Sequence, residues 1–120
     1  MKYMILIGAS HEAWDELGQE GRDRITAAHG SLIPELIESG EFVDTHQLGF
    51  TEETARTIRP SAGGHTVTDG PFIEAKDYVA GYYIVDAASI ERATAIAERL
   101  VEAEFAPVEV RLIHQEPVEF

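Results

Sequence analysis

The stretch that decides the fold is "DYVAGYYIVDAASIERATAIAERL", residues 77–100. Asp77–Asp86 holds three tyrosines, two valines and an isoleucine, the aromatic and β-branched mixture of a strand. Ser89 then offers a hydroxyl oxygen to cap a helix, in which Ile90, Ala93, Ile96, Ala97, Leu100 and Val101 recur at three- and four-residue steps as one apolar stripe. Beyond Pro107, residues Val108–Gln115 alternate: Val108, Val110 and Leu112 fall to one face, Glu109 and Arg111 to the other. Strand, capped helix and strand make a β-α-β unit.

The same unit is written once more, earlier in the chain. Lys2–Ala9 is a compact apolar run suited to a buried strand. A polar segment follows, and from about Asp15 the pattern becomes helical, with Ile25, Ala28, Leu32, Ile33, Leu36 and Ile37 on one stripe and Gly40 at the stop. Pro34 removes a hydrogen bond and crowds the carbonyl of Gly30, which predicts a kink or break near Gly30–Ser31. Glu41–Phe50 reads as the next strand. Thr54–Arg59 and His65–Thr68 read as a hairpin joined by "PSAGG", residues 60–64.

Two β-α-β halves separated by a hairpin predict an α+β fold, a ferredoxin-like sandwich in which both helices cover one face of an antiparallel sheet. Residues 1–120 read as a single domain without repeat, low-complexity tract or linker. The strands carry apolar or aromatic residues on both sides, as Tyr82 and Ile84 against Tyr83 and Val85. The helix-free face therefore needs a cover, and a second copy of the chain is the expected one: a homodimer, with a pocket between its sheets.

Composition narrows the function classes. The net charge of −13, from 22 acidic against nine basic residues, repels phosphate backbones and disfavours nucleic-acid binding. With no cysteine there is neither a disulfide framework nor a thiolate metal site. The longest apolar run, Met4–Ile7, is too short to span a membrane, and polar residues from Ser10 onward spoil a signal peptide, so the expectation is a soluble cytoplasmic protein. The histidines are scattered singly, with no H-x-x-x-H or H-E-x-x-H spacing, and no metal or other cofactor is expected. A glycine-rich phosphate loop opening a helix and a G-x-S-x-G nucleophile turn are both missing from the sequence.

"VTDGPFIEAKDYVAGYYIVDAASIERATAIA", from residue 67, and "VEVRLI", from residue 108, resemble the DGPF branch of the YCII-related family. "MKYMILI" and "AAHGSLIPELIESGEF" extend the resemblance over nearly the whole chain. Two positions depart from the usual pattern: Ala80 stands where a second glycine is common, and Leu112 where a proline is. The resemblance implies a dimeric α+β barrel. It also implies kinship with small enzymes acting on small organic molecules through a His–Asp pair, and for the DGPF branch an association with alternative sigma factors.

Candidate site residues follow from both lines of reading. Asp69-Gly70-Pro71-Phe72 is a turn, in which glycine supplies a positive φ and proline stiffens the chain; a rigid turn also fixes Asp69 beside a pocket, with Phe72 as an apolar wall. His29 lies on the first helical stripe, either as a packed core residue or as the base whose tautomer Asp69 fixes. His65 is too far along its strand from Asp69 to pair with it, and His46 with Asp44 is the fallback pair. His11 and His114 read as surface residues. Glu74 and Lys76 point to one side of an extended segment, as an exposed ion pair or as the lining of a substrate pocket in which Lys76 anchors a carboxylate or enolate, joined by Arg111. Tyr82 and Tyr83 alternate across the sheet, so one faces the helices and the other the pocket between the sheets, and both are substrate-binding candidates.

Two functions of different classes fit these residues. One is a cofactor-independent acid–base enzyme, with His29 moving a proton on a small organic substrate. The other is a non-catalytic dimeric module that binds a metabolite and serves a transcription-linked protein partner such as a sigma factor.

Overall fold

A computed structural model of the chain describes residues 1–49, 54–70 and 77–116. The elements run β1 (Lys2–Ser10), α1 (His11–Ser39), β2 (Phe42–Gln47), β3 (Arg56–Ser61), β4 (Gly64–Asp69), β5 (Asp77–Asp86), α2 (Ile90–Ala97), a 3₁₀ turn (Val101–Glu104) and β6 (Val108–Leu112). The main sheet has the order β2-β5-β1-β6, antiparallel throughout, while β3 and β4 form a separate two-stranded arm. This is the α+β, ferredoxin-like arrangement expected from the two β-α-β halves. β5 begins and ends where the tyrosine-rich pattern puts it.

The core lies between the helices and one sheet face. Tyr3, Ile5 and Ile7 of β1 and Tyr83 and Val85 of β5 meet Leu32 and Leu36 of α1 and Ala93, Ile96 and Ala97 of α2. Each large side chain buried there contributes roughly 1.5–3 kcal/mol. Ser89 caps α2 as expected, its hydroxyl oxygen accepting from the Arg92 N–H at 3.1 Å.

α1 departs from expectation at both ends of its logic. It starts at His11 instead of near Asp15, because Ser10 accepts from the Ala13 N–H at 3.1 Å and Glu12 sits favourably in the first turn. The break lies at Gly18, with φ 65° and ψ −177°, and no non-helical backbone occurs at Gly30–Ser31. Only glycine adopts that φ without strain. Pro34 stays inside the helix because Gly30 and Pro34 are both exposed, so the carbonyl that loses its partner faces water. Ile37, expected on the buried stripe, is 60% exposed, because it lies about 100° around the helix from Leu36, which takes the core-facing position of that turn at 1% exposure.

Other boundaries also move. β2 ends at Gln47, short of the predicted Phe50, which lies outside the described residues. The hairpin turns more tightly than "PSAGG" suggests: Pro60 pairs with His65 and Ser61 with Gly64, leaving Ala62-Gly63 as the turn. Pro60 is tolerated because a two-stranded arm is all edge. β6 stops at Leu112, which is exposed.

Candidate functional site

α1 and the sheet do not close against each other along their full length. Near the β2 and β5 strands they leave a cavity of about 550 Å³ whose walls include Ile7, Trp14, Ile25, Tyr78 and Phe105. Its size is that of a small-molecule site.

His29 stands on this cavity, four residues after Ile25 and three before Leu32, so the stripe that packs the core also aims the imidazole inward. Its ring lies nearly parallel to that of Tyr83, with centroids 5.5 Å apart and planes 12° apart. Nδ1 is 2.5 Å from the Tyr83 hydroxyl oxygen, and Nε2 is 2.7 Å from Glu102 Oε2.

The protons follow from the partners. An ionised carboxylate only accepts, so Nε2 carries the hydrogen it donates to Glu102; neutral imidazole then presents Nδ1 as the acceptor of the Tyr83 O–H. Tyr83 is 1% exposed. Burial pushes its phenol up to about 12, the Thr45 hydroxyl opposes the shift and the Glu102 charge adds to it. Tyr83 therefore keeps its proton at neutral pH, and a continuous donor chain runs Tyr83 to His29 to Glu102.

Glu102 is held by the 3₁₀ turn, whose neighbour Glu104 accepts from Arg24 Nη2 of α1 through both carboxylate oxygens, at 3.1 and 3.0 Å. Its second oxygen, Oε1, is buried without a hydrogen-bond partner. Arg22 lines the same cavity, with its guanidinium carbon 5.0 Å from the Trp14 ring centroid, Nη2 donating to the Trp14 carbonyl at 3.4 Å, and Nε buried without a partner.

The expected site residues separate into groups. His29 and Tyr83 come together on the cavity. Asp69 does not join them: it ends β4 in the arm, 79% exposed, with its carboxylate 3.2 Å from Arg56 Nε. In this chain Glu102 is the carboxylate on His29. Gly70 does take the expected positive φ, 99°. Tyr82 lies on the opposite sheet face, its hydroxyl donating to Asp44 Oδ2 at 3.1 Å. The fallback pair is formed there too, with His46 Nε2 3.1 Å from Asp44 Oδ1. Arg111 is on that face beside Glu109, 3.5 Å away. His65, His11 and His114 are exposed. Phe72, Glu74 and Lys76 lie outside the described residues. Among the described residues no group of three or more His, Asp or Glu side chains is arranged to hold a metal ion.

Trp14, Arg22, Tyr78 and Glu102 are among the cavity residues that the sequence does not single out. Tyr78 had the wrong parity. The β1–β5 register steps from Ile7↔Gly81 to Gly8↔Val79, so a bulge at Ala80 turns Tyr78 to the side of Ala9 and the cavity. Gly81 has to be glycine, because a Cβ there would lie 2.9 Å from the His46 carbonyl oxygen. Glu102 gives no local signal that separates it from Glu98 or Glu104.

Fold and site together define a small α+β protein with a helix-side cavity on which a Tyr–His–Glu chain opens. The chain belongs to the YCII-related domain family, which matches residues 1–116. It is similar to an uncharacterized protein of Rhizobium meliloti (strain 1021), with 30% identity over 103 residues, covering 86% of this chain and 82% of that one.

Proposed function

We propose that the protein is a cofactor-independent acid–base enzyme that moves a proton on a small organic molecule bound between α1 and the sheet. The carrying observation is the hydrogen-bonded chain from Tyr83 through His29 to Glu102 at the wall of a cavity of about 550 Å³. Glu102 fixes the tautomer and stabilises the imidazolium that forms, the role expected of Asp69 from the family resemblance. A proton leaving the substrate reaches the Tyr83 oxygen as the Tyr83 proton passes to His29 Nδ1. Reversal delivers a proton at a neighbouring atom. With the phenol pushed up to about 12, a free phenolate is disfavoured, so the two transfers are concerted. Groups placed in this way contribute roughly 10²- to 10⁴-fold to a proton transfer. Isomerisation, or elimination next to a carbonyl, fits such a kit.

The test is proton exchange. Small ketones, aldehydes and keto acids are incubated with the protein in deuterated water, and loss of the carbon-bound proton signal is followed by NMR. The expected result is catalysed exchange that His29→Ala abolishes and Glu102→Gln slows at least tenfold, with circular dichroism unchanged. Exchange surviving in His29→Ala overturns the assignment. Binding without exchange would make the protein a ligand-binding module instead. The D-G-P-F run at residues 69–72 supports a place in the DGPF branch of the family, and the half-buried apolar side chains Met4, Leu6, Tyr82 and Ile84, on the sheet face away from α1 and α2, support a homodimer.

A further inference from the structure

We infer that the cavity recognises a small carboxylic acid, with Arg22 as the anchor for its carboxylate and Glu102 Oε1 as the acceptor for a hydroxyl or other donor on the same molecule. The inference rests on the reading of the cavity as a substrate site, and it does not require that the bound molecule react.

Two polar atoms carry it. Arg22 Nε and Glu102 Oε1 are the two buried side-chain atoms without a hydrogen-bond partner among the described residues, and both residues line this one cavity. A guanidinium keeps its charge at every accessible pH. Burying one of its donors unpaired is costly, because water is lost and nothing replaces it. Arg22 makes no ion pair with any described carboxylate, in a chain that carries 22 acidic residues. Among the described residues its guanidinium makes one hydrogen bond, a long contact to the Trp14 carbonyl, and the indole it stacks on neutralises nothing. A ligand carboxylate matches the guanidinium fork in shape and charge.

Glu102 asks for the opposite partner. Oε2 is satisfied by His29, whereas Oε1 lacks a donor. A ligand that supplied only a carboxylate would leave it unmet. The remaining wall is apolar and aromatic, from Trp14, Tyr78 and Phe105, which suits a flat or bulky hydrocarbon body. One molecule with an apolar body, a carboxylate and a nearby hydroxyl satisfies every part.

The probes are phenylacetate, its neutral isostere 2-phenylacetamide, and mandelate, which adds a hydroxyl beside the carboxylate. Affinities are measured by calorimetry on the full chain. Phenylacetate is expected to bind at least tenfold more tightly than the amide, and mandelate more tightly still. Arg22→Met should erase the preference of acid over amide, Arg22→Lys should keep part of it, and Glu102→Gln should remove the gain from the hydroxyl. His29→Ala should retain the acid preference even where proton exchange is lost, which separates this inference from the catalytic reading. Equal affinity for acid and amide in the wild type, an acid preference that survives Arg22→Met, or no binding of any of the three overturns it. Exchange on uncharged ketones that Arg22→Met leaves untouched would overturn it while leaving the catalytic reading in place.

Discussion

Tyr83 shows how much one buried hydroxyl sets at the level of a single residue. Its phenol is pushed from the ordinary value of 10.0 up to about 12, chiefly by burial. The folded-state value is raised, so between those two values the unfolded chain has lost this proton while the folded chain keeps it. Stability is therefore fully present below about pH 10 and falls as pH rises toward 12, by an amount on the order of 3 kcal/mol for this group alone. Urea unfolding across that window should show the fall, and Tyr83→Phe should flatten it. A wild-type slope that Tyr83→Phe leaves unchanged would show that the fall comes from other groups. His29 was legible as a residue because its place on the apolar stripe points it at the core. Its partner was not, because Glu102 reaches it across 73 residues of chain, and contacts between separate elements leave no periodic trace.

At the scale of elements, Gly18 and Gly30, two of the three glycines of α1, make opposite predictions. Gly18 has a positive φ, so Gly18→Ala is strained although its Cβ would touch nothing within 4 Å; a loss of about 1 kcal/mol or more is expected. Gly30 is helical, exposed and equally uncrowded, so Gly30→Ala should gain about 0.5–1 kcal/mol. Denaturant midpoints of the two variants decide it. A destabilised Gly30→Ala would mean that the helix bends there after all, as Pro34 suggested from sequence. The element order, β5 and the Ser89 cap were legible because periodicity and capping are local rules. Pro34 does not break the helix at Gly30–Ser31 because Gly30 and Pro34 are exposed and water stands in for the lost hydrogen bond. The bulge at Ala80 was illegible for a related reason: it is a property of how β1 and β5 pair, and nothing within the strand announces it. It alone puts Tyr78 on the cavity side.

At the scale of the molecule, two surfaces lack a partner among the described residues. The face of the main sheet away from α1 and α2 presents Met4, Leu6, Tyr82 and Ile84 at its centre, each half-buried, with no described helix over them. Each edge sets a carboxylate beside a basic side chain, Asp44 with His46 on β2 and Glu109 with Arg111 on β6. Stacking two such faces about a two-fold axis parallel to the strands would set Asp44 of one copy over Arg111 of its partner, and His46 over Glu109. The arm formed by β3 and β4 tells the same story. Ile58 and Val67 pair across it at 68% and 57% exposure, and the arm packs little on any other described element. A lone hairpin is marginal in water, and the radius of gyration of 16.3 Å exceeds the roughly 14 Å of a compact domain of this length. On the homodimer proposed above, sedimentation at micromolar concentration should return about twice the chain mass of 13.2 kDa. Ile84→Glu puts a charge at the centre of the open face without touching the helix-side core, so it should yield a folded monomer. A wild-type monomer, or an Ile84→Glu protein that stays dimeric, would place the contact elsewhere or remove it. The cavity is built by α1, the sheet and the 3₁₀ turn of one chain, so the monomeric variant should still bind phenylacetate, which ties ligand recognition to the fold and assembly to the face the helices leave bare.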